Sequence, residues 1–149
     1  MRVLMQRVKK ARVCVKGREI SSIKRGLLLF VGVGKNDTEK DIEYLSKKVI
    51  NLRIFNDDHG KMNLNIQQVK GQVLSVSQFT LHANTRKGNR PGFDQSAGPA
   101  EAKEHWNTFN NLLRTGGIEV REGIFRAQME IEIINSGPVT IWLDSQEGS

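Results

Sequence analysis

The sequence predicts a single α+β (mixed α/β) domain over residues 1–149, with a largely antiparallel sheet and two main helices. Three observations support this class. A chain of 149 residues with 38% hydrophobic content can bury about 70% of its unfolded surface without a disulfide or metal. Residues 27–33 form an apolar run typical of a buried central strand. The predicted order is strands, helix, strand, helix, strands, which suits helices packed on a sheet.

The first 25 residues predict two strands. Apolar and polar residues alternate around Val3–Met5 and again at Val13–Val15, which is the period of a half-buried strand. Lys9 and Lys10 lie between these stretches, and we expect them to form a short basic connection. Residues 27–33 then form the next strand.

A first helix is predicted over residues 38–51. Thr38 is an N-cap candidate, and Asp41 follows three residues later, as in a capping box. Apolar residues continue at spacings of three, four and three, which gives one apolar face; they are Ile42, Leu45, Val49 and Leu52. Residues 57–60 (Asp-Asp-His-Gly) predict a turn.

The second half of the chain predicts a strand at 73–79, a loop at 82–98 and a helix from Pro99. A loop of that length in a compact domain is usually functional or mobile. The helix carries an apolar stripe and ends at 115–117 (Thr-Gly-Gly); the stripe is Ala102, Trp106, Phe109 and Leu113. Three closing strands are predicted, at Ile118–Arg121, Met129–Ile134 and Val139–Leu143.

Composition and motifs exclude several classes of protein. The single cysteine, Cys14, allows no internal disulfide and is predicted to be a small buried strand residue. No apolar run approaches the ~20 residues of a membrane span, and the N-terminus lacks a signal peptide, so we expect a cytoplasmic protein. Three histidines without ligand spacing predict no metal site. Residues 32–35 (Gly-Val-Gly-Lys) are only a fragment of a phosphate loop and predict a strand-end turn, so no cofactor is expected.

The charge is unevenly distributed along the chain. The net charge is +7, but residues 1–93 carry 19 Lys and Arg against 7 Asp and Glu, and residues 94–149 carry 4 against 9. The stretch His59–Phe93 contains no acidic residue. A basic half of this kind favours a polyanionic partner such as a nucleic acid, although a passive basic surface would have the same composition.

Two segments have unusual chemistry. Ser77, Gln78 and Thr80 cluster around Phe79 at the end of a predicted strand; polar groups there could position a substrate, and backbone amides could stabilise an oxyanion. They could equally satisfy their own backbone. Residues 135–138 (Asn-Ser-Gly-Pro) lie between two predicted strands, where a turn is the simplest interpretation.

Taken together, these segments resemble the D-aminoacyl-tRNA deacylase (D-tyrosyl-tRNA deacylase) family. Ser77-Gln78-Phe79-Thr80-Leu81 matches one motif of that family, and residues 135–140 match the other at all but one position. The loop segment 90–93 (Arg-Pro-Gly-Phe) lies between them, and the opening residues 1–8 are also similar.

The resemblance implies an enzyme that hydrolyses the ester bond of D-aminoacyl-tRNA, and glycyl-tRNA as well, as chiral proofreading in translation. It implies a homodimer with a barrel-like arrangement and each active site at the subunit interface. Ser77, Gln78, Phe79 and Thr80 would form the catalytic surface. Gly137 and Pro138, joined by a cis peptide bond, would enter the partner's pocket and select chirality. The residues that would bind the terminal adenosine are Phe125, Ala127 and Met129.

The chain departs from the family pattern at three positions. Ser136 stands where the family usually has Asp, while Arg126 and Gln128 replace a Gly and an Asp. Candidate contacts to the tRNA backbone, chosen for their charge, are Lys9, Lys10, Arg86, Lys87 and Arg90. The alternative to an enzyme is a non-catalytic tRNA- or RNA-binding module that uses the same basic face.

Overall fold

The computed structural model describes residues 1–147, and the fold is mixed α+β, as the sequence predicts. The eight strands are β1 (Arg2–Val15), β2 (Arg18–Ile23), β3 (Gly26–Gly32), β4 (Phe55–Asn56), β5 (Met62–Leu64), β6 (Gln72–Ser77), β7 (Glu119–Glu122) and β8 (Glu130–Asp144). The helices are α1 (Glu39–Asn51), α2 (Pro99–Thr115) and a short 3₁₀ helix, Phe79–His82.

The main sheet has six strands, in the order β2-β1-β3-β6-β7, with β8 also paired to β1. Strand β1 is antiparallel to β2, β3 and β8, whereas β3–β6 and β6–β7 are parallel pairs. The parallel pairs arise because α1 separates β3 from β6 and α2 separates β6 from β7, and a helical crossover is the usual link between parallel strands. The sheet curls until β2 approaches β7, where the Ser21 hydroxyl donates to the Glu122 carbonyl at 2.7 Å.

Both helices lie on one face of the curled sheet. The predicted apolar faces are buried there: Leu45 and Val49 of α1 pack in one cluster with Phe109 and Leu113 of α2. A smaller cluster, which includes Val13 and Leu74, lies on the other face. Among residues 1–147, no helix is both long and apolar enough to cross a membrane.

A capping box marks the start of α1, and a first-turn proline marks the start of α2. The Asp41 carboxylate accepts hydrogen bonds from both the backbone N–H and the hydroxyl of Thr38, at 2.8 and 2.7 Å, which satisfies groups that a helix start leaves unpaired. Pro99 occupies the first turn of α2, where its missing N–H costs nothing. The predicted helix positions are therefore correct.

The prediction of two strands joined at Lys9 and Lys10 is wrong, because β1 continues from Arg2 to Val15. The register of β1 against β8 shifts between Val8 and Lys10, so one extra residue is absorbed as a bulge. Both lysines are exposed and mark the solvent-facing part of this bulge. The chain reverses only at Lys16-Gly17, where φ is 49° and 74°, as a two-residue hairpin turn requires. Cys14 is in this strand, but it is half-buried rather than buried.

The prediction of two C-terminal strands joined by a turn is also wrong, because β8 runs unbroken from Glu130 to Asp144. Gln6 pairs with Thr140 and Val8 with Asn135, so two steps along β1 match five along β8. The extra residues form a bulge, here called the 136–139 bulge. The Asn135 side chain closes it, since Nδ2 donates to Thr140 Oγ1 at 3.0 Å and Oδ1 accepts from the Val139 N–H at 3.0 Å.

Strand β6 ends two residues earlier than predicted. The Gln78 N–H donates to the Val31 carbonyl at 2.7 Å, which is the last link between the β3 and β6 segments. Residues Phe79–His82 then turn into the 3₁₀ helix. The segment 77–80 is therefore a strand end followed by a tight turn, which directs its side chains and amides away from the sheet.

Candidate active site

A pocket of about 470 Å³ lies where β3 and β6 end, and it is here called the strand-end pocket. Its walls come from the ends of these strands, the start of α2 and the segment 125–131. Six of the predicted site residues line it; they are Ser77, Gln78, Phe79, Phe125, Ala127 and Met129. Two segments about fifty residues apart in sequence therefore meet at one cavity.

The pocket wall is almost free of titratable groups. The lining is mostly apolar, and it holds no carboxylate, histidine, lysine or cysteine among the described residues. Arg126 is the one ionisable side chain in the wall. Its φ is 63°, in the left-handed region that glycine adopts without cost. General acid–base catalysis by a side chain of this wall therefore has no candidate.

The segment 77–80 presents two free backbone amides. Neither the Phe79 N–H nor the Thr80 N–H donates to any acceptor within residues 1–147. The reason is local, since the first amides of a helix have no partner inside it. The Phe79 carbonyl, in contrast, is paired, since it accepts a hydrogen bond from the Ser96 hydroxyl at 3.1 Å. Two unpaired donors beside a pocket can receive a carbonyl oxygen.

Thr80 is exposed and has a single side-chain partner. Gln78 Nε2 donates to Thr80 Oγ1 at 2.5 Å, and no base accepts the hydroxyl proton among the described hydrogen bonds. Thr80 is the one residue of the predicted catalytic set that does not line the strand-end pocket. A hydroxyl without a base is a weak nucleophile.

His82 is the imidazole nearest to Thr80 in sequence, and it is buried, with 8% of its surface exposed. The ring fills the space left by two glycines: a Cβ on Gly34 would lie 2.9 Å from a ring carbon, and one on Gly32 would lie 3.2 Å from another. The glycines of the strand-end turn at 32–35 therefore make room for the His82 ring, and this packing accounts for them without a phosphate loop. Burial lowers the pKa of His82, against the opposing effects of the Gly32 backbone and the Asp37 charge.

Trp106 lines the pocket beside Phe125. Its ring centroid lies 6.0 Å from that of Phe125, and its indole N–H donates to the buried Ser75 hydroxyl at 2.8 Å. The sequence predicts Trp106 only as part of a helix stripe, because nothing in the periodicity of a helix tells a pocket wall from a core position. The sequence does not predict Ser96 as a pocket residue either, since the loop that carries it has no periodic pattern.

Gly137 and Pro138 lie outside the strand-end pocket of their own chain. Both are exposed in the 136–139 bulge, and the peptide bond between them is cis, as the resemblance implies. Arg7 holds the base of the bulge: its Nε donates to the Ser136 carbonyl at 3.0 Å, and its Nη1 donates to the Ile54 carbonyl at 2.5 Å.

The five predicted tRNA contacts lie in separate places. Lys9 and Lys10 are on β1 and line two different cavities, of about 320 and 890 Å³. Arg86 lines a third cavity of about 570 Å³, beside Arg2 and Lys35. Lys87 and Arg90 are exposed in the loop at 83–98. The fold therefore does not gather all five around one cavity.

These features define a class of protein. A small curled sheet whose strand ends hold an apolar pocket, free amides and no side-chain base suits an ester hydrolase that works by positioning its substrate.

Comparison with known proteins gives the family. The family model described as D-Tyr-tRNA(Tyr) deacylase matches residues 4–144, and the chain belongs to this family. A D-aminoacyl-tRNA deacylase of Staphylococcus haemolyticus is 53% identical over 99% of this chain and 98% of that protein. One of Thermotoga petrophila is 51% identical over 99% of each. A solved structure titled c-Myc DNA Unwinding Element Binding Protein has a TM-score of 0.91 and 37% identity, and covers 97% of this chain and 98% of that one.

The lowered pKa of His82 predicts a loss of stability in mild acid. In the unfolded chain a histidine gains its proton near pH 6.5, whereas the folded chain resists protonation until lower pH. The unfolded state therefore binds more protons, and the free energy of unfolding falls as the pH drops below about 6.5. Denaturant unfolding at pH 7.5 and 5.5 measures this fall, and we expect it to be smaller in His82→Leu. The matched control is His59→Leu at an exposed histidine, which keeps the fall of the wild type.

Proposed function

We propose that this chain hydrolyses the ester bond of D-aminoacyl-tRNA, releasing the free D-amino acid and tRNA, as a proofreading enzyme of translation. The observation that carries the proposal is the strand-end pocket, where the segments 77–79 and 125–129 meet beside two free amides. Membership of the deacylase family supports the same reaction. The whole chain, residues 1–149, works as one domain in the cytoplasm, where translation takes place.

In the proposed reaction, the ester carbonyl oxygen accepts hydrogen bonds from the N–H groups of Phe79 and Thr80. Water adds to the carbonyl carbon, and the amides stabilise the negative charge on the oxygen. The intermediate then breaks its bond to the ribose oxygen, which takes a proton that originates from the water. The neighbouring 2′-hydroxyl of the tRNA assists the proton transfer, because the pocket wall supplies no base.

The terminal adenosine of the tRNA occupies the other half of the pocket. Phe125, Ala127 and Met129 form an apolar surface there, and the Phe125 ring is supported by Trp106 at 6.0 Å. A supported aromatic face is suited to stacking on a base. The adenosine and the ester are therefore held together by one rigid cavity.

Chiral selection comes from a second copy of the chain. In the proposed homodimer, Gly137 and Pro138 of the partner subunit enter the strand-end pocket, and their carbonyls hold the substrate's amino group. They leave no room for an L side chain, so the wrong enantiomer is rejected by a clash. The exposure of the 136–139 bulge, and its position outside the pocket of its own chain, support action in trans.

The tRNA backbone contacts the basic residues of the first 93 positions. Lys9, Lys10, Arg86, Lys87 and Arg90 are the proposed contacts, and no salt bridge involves them among the described residues. Each phosphate neutralised adds a salt-dependent increment of affinity. No metal or cofactor enters the proposed reaction.

The test of this function is the loss of ester from tRNA charged separately with D-tyrosine, L-tyrosine and glycine. We expect the enzyme to release D-tyrosine and, because glycine has no side chain to clash, glycine also. The L-tyrosyl ester stays intact. At low substrate the rate falls as the salt concentration rises. Release is followed by acid precipitation of labelled tRNA.

The other outcomes of this assay are equally informative. Binding of tRNA without loss of any ester identifies a non-catalytic RNA-binding module. Equal loss of the D and L forms contradicts chiral selection by the enzyme. Resistance of glycyl-tRNA, at enzyme levels that hydrolyse D-tyrosyl-tRNA, contradicts selection by a steric clash.

Replacing Thr80 separates the backbone mechanism from a threonine nucleophile. Thr80→Val removes one hydrogen bond, from Gln78, and we expect kcat to stay within about tenfold of the wild type, because one such bond contributes about 1 kcal/mol. Loss of a nucleophile would lower kcat by more than about 10⁴-fold. Thr80→Ser, which keeps the hydroxyl, is the control. If Thr80→Val abolishes turnover while tRNA still binds, the backbone mechanism is wrong.

A further inference from the structure

Two exposed phenylalanines stand together at the mouth of the strand-end pocket. Phe79 is 55% exposed and Phe93 is 37% exposed, although phenylalanine is among the residues most often buried. Their ring centroids lie 4.9 Å apart, with 63° between the ring planes, so the pair packs edge to face. Phe79 also lines the pocket, whereas Phe93 does not. The pair, here called the aromatic pair, therefore extends an apolar surface outward from the pocket.

The loop that carries Phe93 is fixed to the rest of the fold. The Ser96 hydroxyl donates to the Phe79 carbonyl at 3.1 Å, and the Ser96 N–H donates to the Phe93 carbonyl at 3.0 Å. Gly34 forms a bridge with Ser96, which ties the loop to the end of β3. The N–H of Gly92 donates to the Asn84 carbonyl at 2.9 Å, and the reverse bond is 2.8 Å. These bonds hold the aromatic pair in place before any ligand binds.

The surroundings of the aromatic pair are basic. The loop before Phe93 contributes three exposed cations, Arg86, Lys87 and Arg90. The stretch from His59 to Phe93 contains no acidic residue. Aromatic faces interleaved with cations are the combination that binds single-stranded nucleic acid, since the rings stack on bases and the cations contact phosphates. The whole loop, residues 83–98, carries these three cations and one acidic residue, Asp94, so its net charge is positive.

We propose that the aromatic pair, through Phe93 in particular, stacks on the base of the nucleotide that precedes the terminal adenosine of the tRNA. This inference rests on the proposed function, in which the adenosine occupies the strand-end pocket. Phe79 belongs both to the wall of the strand-end pocket and to the aromatic pair. The preceding nucleotide therefore leaves the pocket across the exposed rings, and its phosphates contact the basic loop. Phe93 acts as a binding residue for the RNA and takes no part in the chemistry.

The experiment compares D-tyrosyl-tRNA with the D-tyrosyl ester of adenosine, which lacks this nucleotide and all those before it. In Phe93→Leu the side chain stays apolar but loses its aromatic face. We expect KM for D-tyrosyl-tRNA to rise about tenfold, as loss of one stacked base implies. KM for the adenosine ester and kcat for both substrates stay unchanged. Phe93→Trp restores the wild-type KM for the tRNA.

A spectroscopic measurement reports the stacking without turnover. Uncharged tRNA is prepared with 2-aminopurine in place of the base before the terminal adenosine, and its fluorescence is followed as protein is added. Wild type and Phe93→Trp quench the probe, whereas Phe93→Leu leaves it bright even at saturating protein.

Three results would overturn the proposal: an equal rise of KM for both substrates, no change for either, or quenching that survives in Phe93→Leu. A change of sedimentation in Phe93→Leu with unchanged quenching would mean that a second copy of the chain covers the pair. Failure of the proposed function looks different, because the wild type would then hydrolyse neither D-tyrosyl ester while the fluorescence measurement still reports on the stacking.

Discussion

The pairing of β1 with three other strands is the constraint on which both motifs depend. Its first half lies between β3 and β8, and its second half lies between β2 and β8. From this strand, Arg2 Nη1 donates to the Leu81 carbonyl at 2.9 Å, while its Nε bonds Asp144 at 2.9 Å. Arg7 bonds the base of the 136–139 bulge. One strand therefore holds the turn after β6 and the bulge of β8 in fixed positions, and displacing it would move both.

The strand-end pocket suits the proposed reaction, which uses no side-chain base. Its wall offers an apolar surface and one arginine, and two free amides lie beside it. An ester of tRNA is already activated, so positioning the water and stabilising the oxyanion provide most of what hydrolysis needs. His82 packs against two glycines beneath the turn, and its burial there lowers its pKa.

The sequence predicts the parts of this fold that follow a local rule. Capping by Thr38 and Asp41 and the spacing of apolar residues determine α1, and a first-turn proline marks α2. The sequence predicts two strands in place of each of the long strands β1 and β8, because a bulge interrupts the alternation without ending the pairing. Pairing is a property of two strands together. In the site, the resemblance identifies the segments 77–80 and 125–129. The sequence does not predict that Trp106 and Ser96 line the pocket, because only tertiary contacts bring them there.

In the proposed homodimer, a complete site needs the pocket of one subunit and the bulge of the other. Two inactive variants test it: Ala127→Trp, which fills the pocket, and Pro138→Trp, which fills the partner's pocket from the bulge. In a mixed dimer, the pocket of the Pro138→Trp chain is intact and receives an intact bulge from the Ala127→Trp chain. After dissociation and random reassociation of equal amounts, we expect about a quarter of the wild-type D-tyrosyl-tRNA deacylase activity, because half of the dimers are mixed and each has one complete site. A mixture no more active than the separate variants would mean that the two subunits do not share a site in this way.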